Sequence, residues 1–173
     1  MQTIQNPKKN SVLGAAAGIA AMAFALFLLP AQARAAASEE SEANRTLIRS
    51  SFDAWRDGTG SPFDLLADDA RWTIEGRSVA SRTYPSREAF LRDVIRPFNA
   101  RMRTGLRPQI RSLHADGATV IVHFDARGIA LDGRPYVNTY AWFLDMRDGR
   151  IVRASAFFDA IEFNELWSRI TPR

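Results

Sequence analysis

The chain predicts a single α+β domain, in which helices precede and follow an antiparallel meander of four strands. Three observations carry this. Asp-Gly pairs stand at Asp116-Gly117, Asp132-Gly133 and Asp148-Gly149, and Asp-Gly supplies the positive φ that a tight hairpin turn requires. Each pair is flanked by β-branched and aromatic runs, at 119–124, 136–146 and 151–158. The helical patterns lie outside this stretch, which gives one curved sheet with helices packed on one side. Such a sheet can enclose a pocket.

Residues 1–37 read as a secretory leader. Lys8 and Lys9 form a basic start, an uncharged run rich in Ala and Leu covers 12–29, and Pro30 breaks it. Small residues at alternate positions follow, in Ala31-Gln32-Ala33 and Ala33-Arg34-Ala35, so cleavage after Ala33, Ala35 or Ala37 is expected. The alternative is an uncleaved anchor, because the run is just long enough to span a bilayer. Cleavage leaves 38–173 as one periplasmic or secreted domain, off the membrane. The chain has no cysteine, so no lipid anchor can form on a thiol and the core alone must hold the fold. The formal charge of +4 owes much to Lys8, Lys9 and Arg34. Without them the domain is nearly neutral and lacks the basic stripe of a nucleic-acid binder.

The elements follow in order. Ser38 before Glu39, Glu40 and Glu42 predicts a helix start, with acids near the positive end of the dipole. Leu47, Ile48, Ser51, Phe52 and Trp55 recur at helical spacing up to a stop at Gly58. Ser61-Pro62 opens a short second helix through Leu66. Residues 70–75 read as a strand ended by Glu75-Gly76, and 77–85 as a loop. From Ser86, the residues Phe90, Leu91, Val94, Ile95 and Phe98 share one face of a third helix, which Pro97 should kink or end. After the meander, Asp159 caps a last helix with Glu162 as its capping-box partner, and Phe163, Leu166 and Trp167 pin it to the sheet.

This order resembles the cone-shaped fold shared by ketosteroid isomerase, nuclear transport factor 2, limonene epoxide hydrolase and the SnoaL-like polyketide cyclases. The likeness rests on LADDARWTI at 66–74, GRPYVNTYAWF at 133–143 and DGRIVRASAFFD at 148–159. It implies a cone-shaped curved antiparallel sheet with helices on its concave side. The enzymes' catalytic residues transfer badly. Ile74 stands where the isomerases keep a base, Ser51 where they keep an oxyanion tyrosine, and Ala156 where the epoxide hydrolases keep an aspartate. What the resemblance does imply is a catalytic set of His123, Asp125 and Tyr140, because His123-Phe124-Asp125 falls where the hydrolases carry Arg-x-Asp. It also implies cavity positions for Trp72, Asn138, Phe158 and Phe163, which with Ile74, Tyr84 and Phe98 make up the expected ligand-binding set.

Strand periodicity and the resemblance disagree about His123. Residues two apart share a face, so Ile121, His123, Asp125 and Arg127 point one way and Val120, Val122, Phe124 and Ala126 the other. Alternation alone puts the valines in the core, whereas the resemblance puts His123 and Asp125 in the pocket. Inside, the carboxylate would fix the imidazole tautomer and His123 would act as general base. Tyr140 and Asn138 would then hold a carbonyl or hydroxyl. The competing reading of these residues is a hydrogen-bond network that fixes sheet register. Tyr84 has two readings as well, against a ligand under a loop folded over the cavity mouth, or packed under the third helix.

His114 and His123 are the only histidines, and no carboxylates join them at ligand spacing, so neither metal nor cofactor is expected. The arginines at 96, 101, 103, 107 and 111 read as a solvated surface. Both faces of the meander are substantially apolar, which predicts helices over one and a second copy of the chain over the other. Two functions follow. One is an exported pocket for a small apolar molecule, with acid–base chemistry of isomerase, cyclase or hydrolase type. The other is a non-catalytic interaction or dimerisation module.

Overall fold

The computed structural model describes residues 16–172, with side chains from residue 32 onward. Much of the predicted leader therefore lies outside the described residues. Helix α1 (Ala16–Asp57) is continuous through Ser38, so Ser38 caps nothing. The alanines before it are strong helix formers, and a capping residue marks a start only where the preceding chain is not helical. The compact domain begins at Ala37. Among the described residues no helix is long and apolar enough to cross a membrane.

From α1 the domain buries Asn44, Ile48 and Phe52, one face at helical spacing. Trp55 packs beside them, and Gly58 ends the helix with φ 76°. Ser41 and Asn44 bind the amide and carbonyl of Gly117 at 2.7 and 3.1 Å, tying the helix to the first hairpin turn. A 3₁₀ turn (Pro62–Leu65) follows, closed by a Ser61–Asp64 capping box. It leads into β1 (Leu66–Ile74) and β2 (Thr83–Tyr84). The second strand falls inside the predicted loop. With two residues it is too short for periodicity to reveal.

The predicted third helix is one rod in three parts: α2 (Arg87–Phe90), a π turn (Leu91–Ile95) and α3 (Arg96–Asn99). Pro97 has no amide, and its ring would strike the carbonyl of Asp93 in a regular helix. The chain widens by one residue instead, and the Arg96 amide donates to Leu91. The helix therefore departs from α geometry just before Pro97 and ends two residues after it, at Asn99.

Strands β3 (Arg107–Asp116), β4 (Thr119–Ile129), β5 (Pro135–Arg147) and β6 (Arg150–Phe158) form the meander, and α4 (Ala160–Arg169) closes the domain. Gly117, Gly133 and Gly149 have φ of 53°, 85° and 70°, the conformations the Asp-Gly turns require. The sheet order is β2-β1-β6-β5-β4-β3. One pairing departs from the antiparallel expectation, since β1 and β6 run parallel and the sheet is mixed. No hairpin joins these two strands, so no turn dictates their relative direction. The inner face carries Val120, Val122 and Phe124 of β4 beside Tyr136, Tyr140, Trp142 and Leu144 of β5, all buried.

Candidate functional site

A cavity of about 590 Å³ lies between the sheet's inner face and the helices, a size that holds a drug-sized ligand. Trp72 and Ile74 reach it from β1, Tyr140 and Trp142 from β5, and Ala156 and Phe158 from β6. Leu91, Val94, Ile95 and Phe98 face it from the helical rod, and Phe163 from α4. The widened turn at 91–95 therefore forms part of the wall. Polar side chains are few: Ser61, Asp64, Asn99, Thr104 and Arg107 join Tyr140 in the lining. Asp64 is the one carboxylate among them. It is exposed and accepts the Ser61 amide at 2.8 Å.

The aromatic walls brace one another. Trp72 stacks on Phe90 with centroids 4.4 Å apart and planes 11° from parallel, and meets Trp142 edge-on at 5.0 Å. Trp142 in turn stacks on Trp55 at 6.0 Å. Interlocked rings of this kind resist rotamer change. On the far side, the loop after α3 lies hard against β4. A methyl group at Gly128 would sit 2.8 Å from the end of Met102 and 3.0 Å from the Thr104 carbonyl. A side chain there would displace the end of Met102 and push the Thr104 backbone back by a few tenths of an ångström.

His123 and Asp125 are not in the cavity. Opposed residues of an antiparallel pair share a face, and His123 stands opposite Ala141 while Phe124 stands opposite Tyr140. The tyrosine and the histidine are therefore on opposite sides of the sheet. The valine face is the core, as strand alternation alone implies. Asp125 gives one oxygen to Thr139 and the other to Arg111, each at 2.7 Å. The Thr139 bond first, then Arg111 and His123, hold its carboxyl below the usual value. The expected catalytic set of His123, Asp125 and Tyr140 does not assemble.

Tyr140 belongs to a different network. Its hydroxyl lies 3.1 Å from that of Tyr136, and Asn138 donates to the Tyr136 oxygen at 2.9 Å. Asn138 also donates to the Asp159 carbonyl and accepts from the Asp159 amide, both at 2.9 Å. That amide is the one Glu162 was expected to cap, so the predicted capping box is replaced by a bond to the sheet. The Asp159 carboxylate still caps α4 through the Ile161 amide at 2.8 Å. Burial pushes the Tyr136 phenol up and the Tyr140 phenol well above 10, so both stay neutral donors at ordinary pH.

Two residues of the expected ligand-binding set lie away from the cavity lining. Asn138 is held inside the network just described. Tyr84 is 2% exposed and packs on Phe90, with its hydroxyl donating to the Ala80 carbonyl at 2.7 Å. No residue of the 78–84 loop lines the cavity: Tyr84 packs under the rod, and the Val79 amide donates to Asn164 of α4 at 2.9 Å. Trp72, Ile74, Phe98, Phe158 and Phe163 do line the cavity. The expected set left out Trp55, Phe63, Trp142 and the partner Tyr136. The signal for two of them was available, since Tyr136 and Trp142 share a strand face with Tyr140. Of the arginines read as surface, Arg101 is buried. Its guanidinium lies 4.0 Å over the Trp167 ring and burial lowers its pKa.

Among curated proteins, none matches this sequence. Solved structures do match in fold. An NTF2-like protein of unknown function from Burkholderia pseudomallei has 21% identity and a TM-score of 0.60, covering 72% of this chain and 97% of its own. TerC, crystallised with polyporic acid, has 21% identity and a TM-score of 0.58 over 72% of this chain and 98% of its own. An LEH-like epoxide hydrolase from M. tuberculosis has 20% identity and a TM-score of 0.53 over 75% and 92%. The family model for the SnoaL-like domain matches residues 48–154, a span that takes in the last part of α1, the cavity walls from β1, the helical rod and β5, and most of the meander. By that match, with the NTF2-like cone fold beneath it, the chain belongs to the SnoaL-like domain family.

Proposed function

We propose that the domain is an exported binder of a small, largely apolar, ring-bearing molecule. The observation that carries this is the cavity of about 590 Å³ walled by braced aromatic rings, with Tyr140 as its inner polar contact. Ring faces and edges favour a flat or cyclic ligand, which gains area burial and stacking together. That a protein of the same fold was crystallised with polyporic acid supports small-molecule binding as a use of the architecture. Isomerase, cyclase or hydrolase chemistry stays within the proposal only through Tyr140 and the rim carboxylate Asp64, because His123 and Asp125 face away. Val94 lines the cavity from the rod, so Val94→Trp should fill it. Native mass spectrometry against a small set of fused-ring aromatics should show adducts on the wild type and none on a folded Val94→Trp variant. A wild type that takes up none of them would sink the binding reading.

Export is part of the same proposal. The compact unit starts at Ala37, inside the span of expected cleavage sites. Mature protein should begin at Arg34, Ala36 or Ser38 on N-terminal sequencing, and an intact Met1 would revive the anchor.

The outer sheet face supports a second role, as a homodimer interface. Phe143 and Phe157 are 41% and 47% exposed and meet edge-on at 5.9 Å. Ile121 and Ala141 adjoin them in register, whereas Val137, 53% exposed on the same strand face, is set apart by Thr139 and its bond to Asp125. A contiguous apolar patch of this kind calls for a cover, and a second copy offers a self-complementary one.

A further inference from the structure

We propose that Tyr140 is a one-way hydrogen-bond donor, its proton order fixed from the backbone of Asp159, and that the cavity therefore selects ligands presenting an oxygen acceptor there, a carbonyl or its enolate. This rests on the reading of the cavity as a ligand site and goes further by naming the chemistry it accepts.

The order is set step by step. A backbone amide can only donate and a carbonyl can only accept. The Asp159 amide lies 2.9 Å from Asn138 Oδ1, and the Asp159 carbonyl 2.9 Å from Asn138 Nδ2. The side-chain amide thus has one allowed orientation. Its second N–H falls on the Tyr136 oxygen at 2.9 Å. Tyr136 is 1% exposed, and the one acceptor beside its hydroxyl is the Tyr140 oxygen at 3.1 Å. Reversing that bond would leave the Tyr136 proton buried without a partner, which costs more than the bond supplies. The chain therefore runs from Asn138 to Tyr136 to Tyr140. Tyr140 alone of the three lines the cavity, and among the described residues no acceptor meets its proton. Each bond in such a chain polarises the next, so the terminal hydroxyl is a stronger donor than an isolated phenol.

Three tricyclic compounds of nearly the same shape test this: 9-fluorenone presents an acceptor, fluorene neither acceptor nor donor, and carbazole an N–H donor. Equilibrium dialysis with full-length mature protein should show fluorenone bound about tenfold more tightly than fluorene, the scale of one hydrogen bond. Carbazole should bind no better than fluorene. The fluorenone carbonyl stretch should move to lower frequency on binding. Tyr140→Phe should abolish both the preference and the shift. Tyr136→Phe keeps the Tyr140 hydroxyl but frees it to turn, so the gap between fluorenone and carbazole should narrow. If all three bind but fluorenone shows neither preference nor carbonyl shift, or if carbazole binds best, the donor order is overturned while the cavity reading stands. Binding of none of the three overturns both.

Discussion

Asn138→Leu is expected to lower stability by about 2–4 kcal/mol, because one buried side chain makes three hydrogen bonds to part-buried and buried groups and each group orphaned costs about 1–3 kcal/mol. The Asp159 amide and carbonyl would lose their side-chain partner, and the Tyr136 oxygen would lose its donor while its proton still reaches Tyr140. Leucine keeps asparagine's branching at Cγ, so the loss would report chiefly the missing hydrogen bonds. The damage should also reach α4, whose N-cap is Asp159. Chemical denaturation monitored by tryptophan fluorescence measures it. A loss below about 1 kcal/mol would mean that water replaces the amide, and the joint between β5 and α4 would then be far less important than its geometry suggests.

The second large effect concerns assembly. Wild-type domain should be a dimer at micromolar concentration by light scattering. Phe143→Arg should raise the dissociation constant at least about a thousandfold, since a two-fold interface meets the new charge twice and an unpaired buried charge costs about 3–5 kcal/mol. The monomeric variant should keep the wild-type fold by circular dichroism, because Phe143 points away from the core. A monomeric wild type at that concentration would remove the interface.

What could be read from the sequence followed from locality. The Asp-Gly pairs announced their hairpins because a positive φ is a property of two residues and needs no partner strand. The Ser61-Pro62 turn and the Asp159 cap were legible for the same reason. The position of His123 was not local. It depended on which face of β4 met the core, and the apolar runs on both faces of β5 left that choice to a resemblance, which pointed the wrong way. Plain alternation, with Val120, Val122 and Phe124 inward, had the right answer. The Tyr136–Asn138–Tyr140 network needed the contact with Asp159, 21 residues further on than Asn138. No spacing rule joins a strand interior to a helix cap across that distance. The β2 pairing and the burial of Arg101 depended on tertiary contacts in the same way.

The π turn at 91–95 has a consequence for how the chain can change in length. It acts as one residue inserted into an otherwise regular helix, and each residue of a helix turns the chain by about 100°. Removing one residue there would restore regular pairing but rotate Phe98 out of contact with Tyr136 and Phe163, against which it now packs. It would also drive Pro97 back against the preceding turn. The wall can therefore exchange one apolar side chain for another and reshape the cavity by degrees, while a single-residue deletion dismantles it. Across descendants of this sequence, diversity in ligand should accumulate through substitution along the rod, at constant rod length.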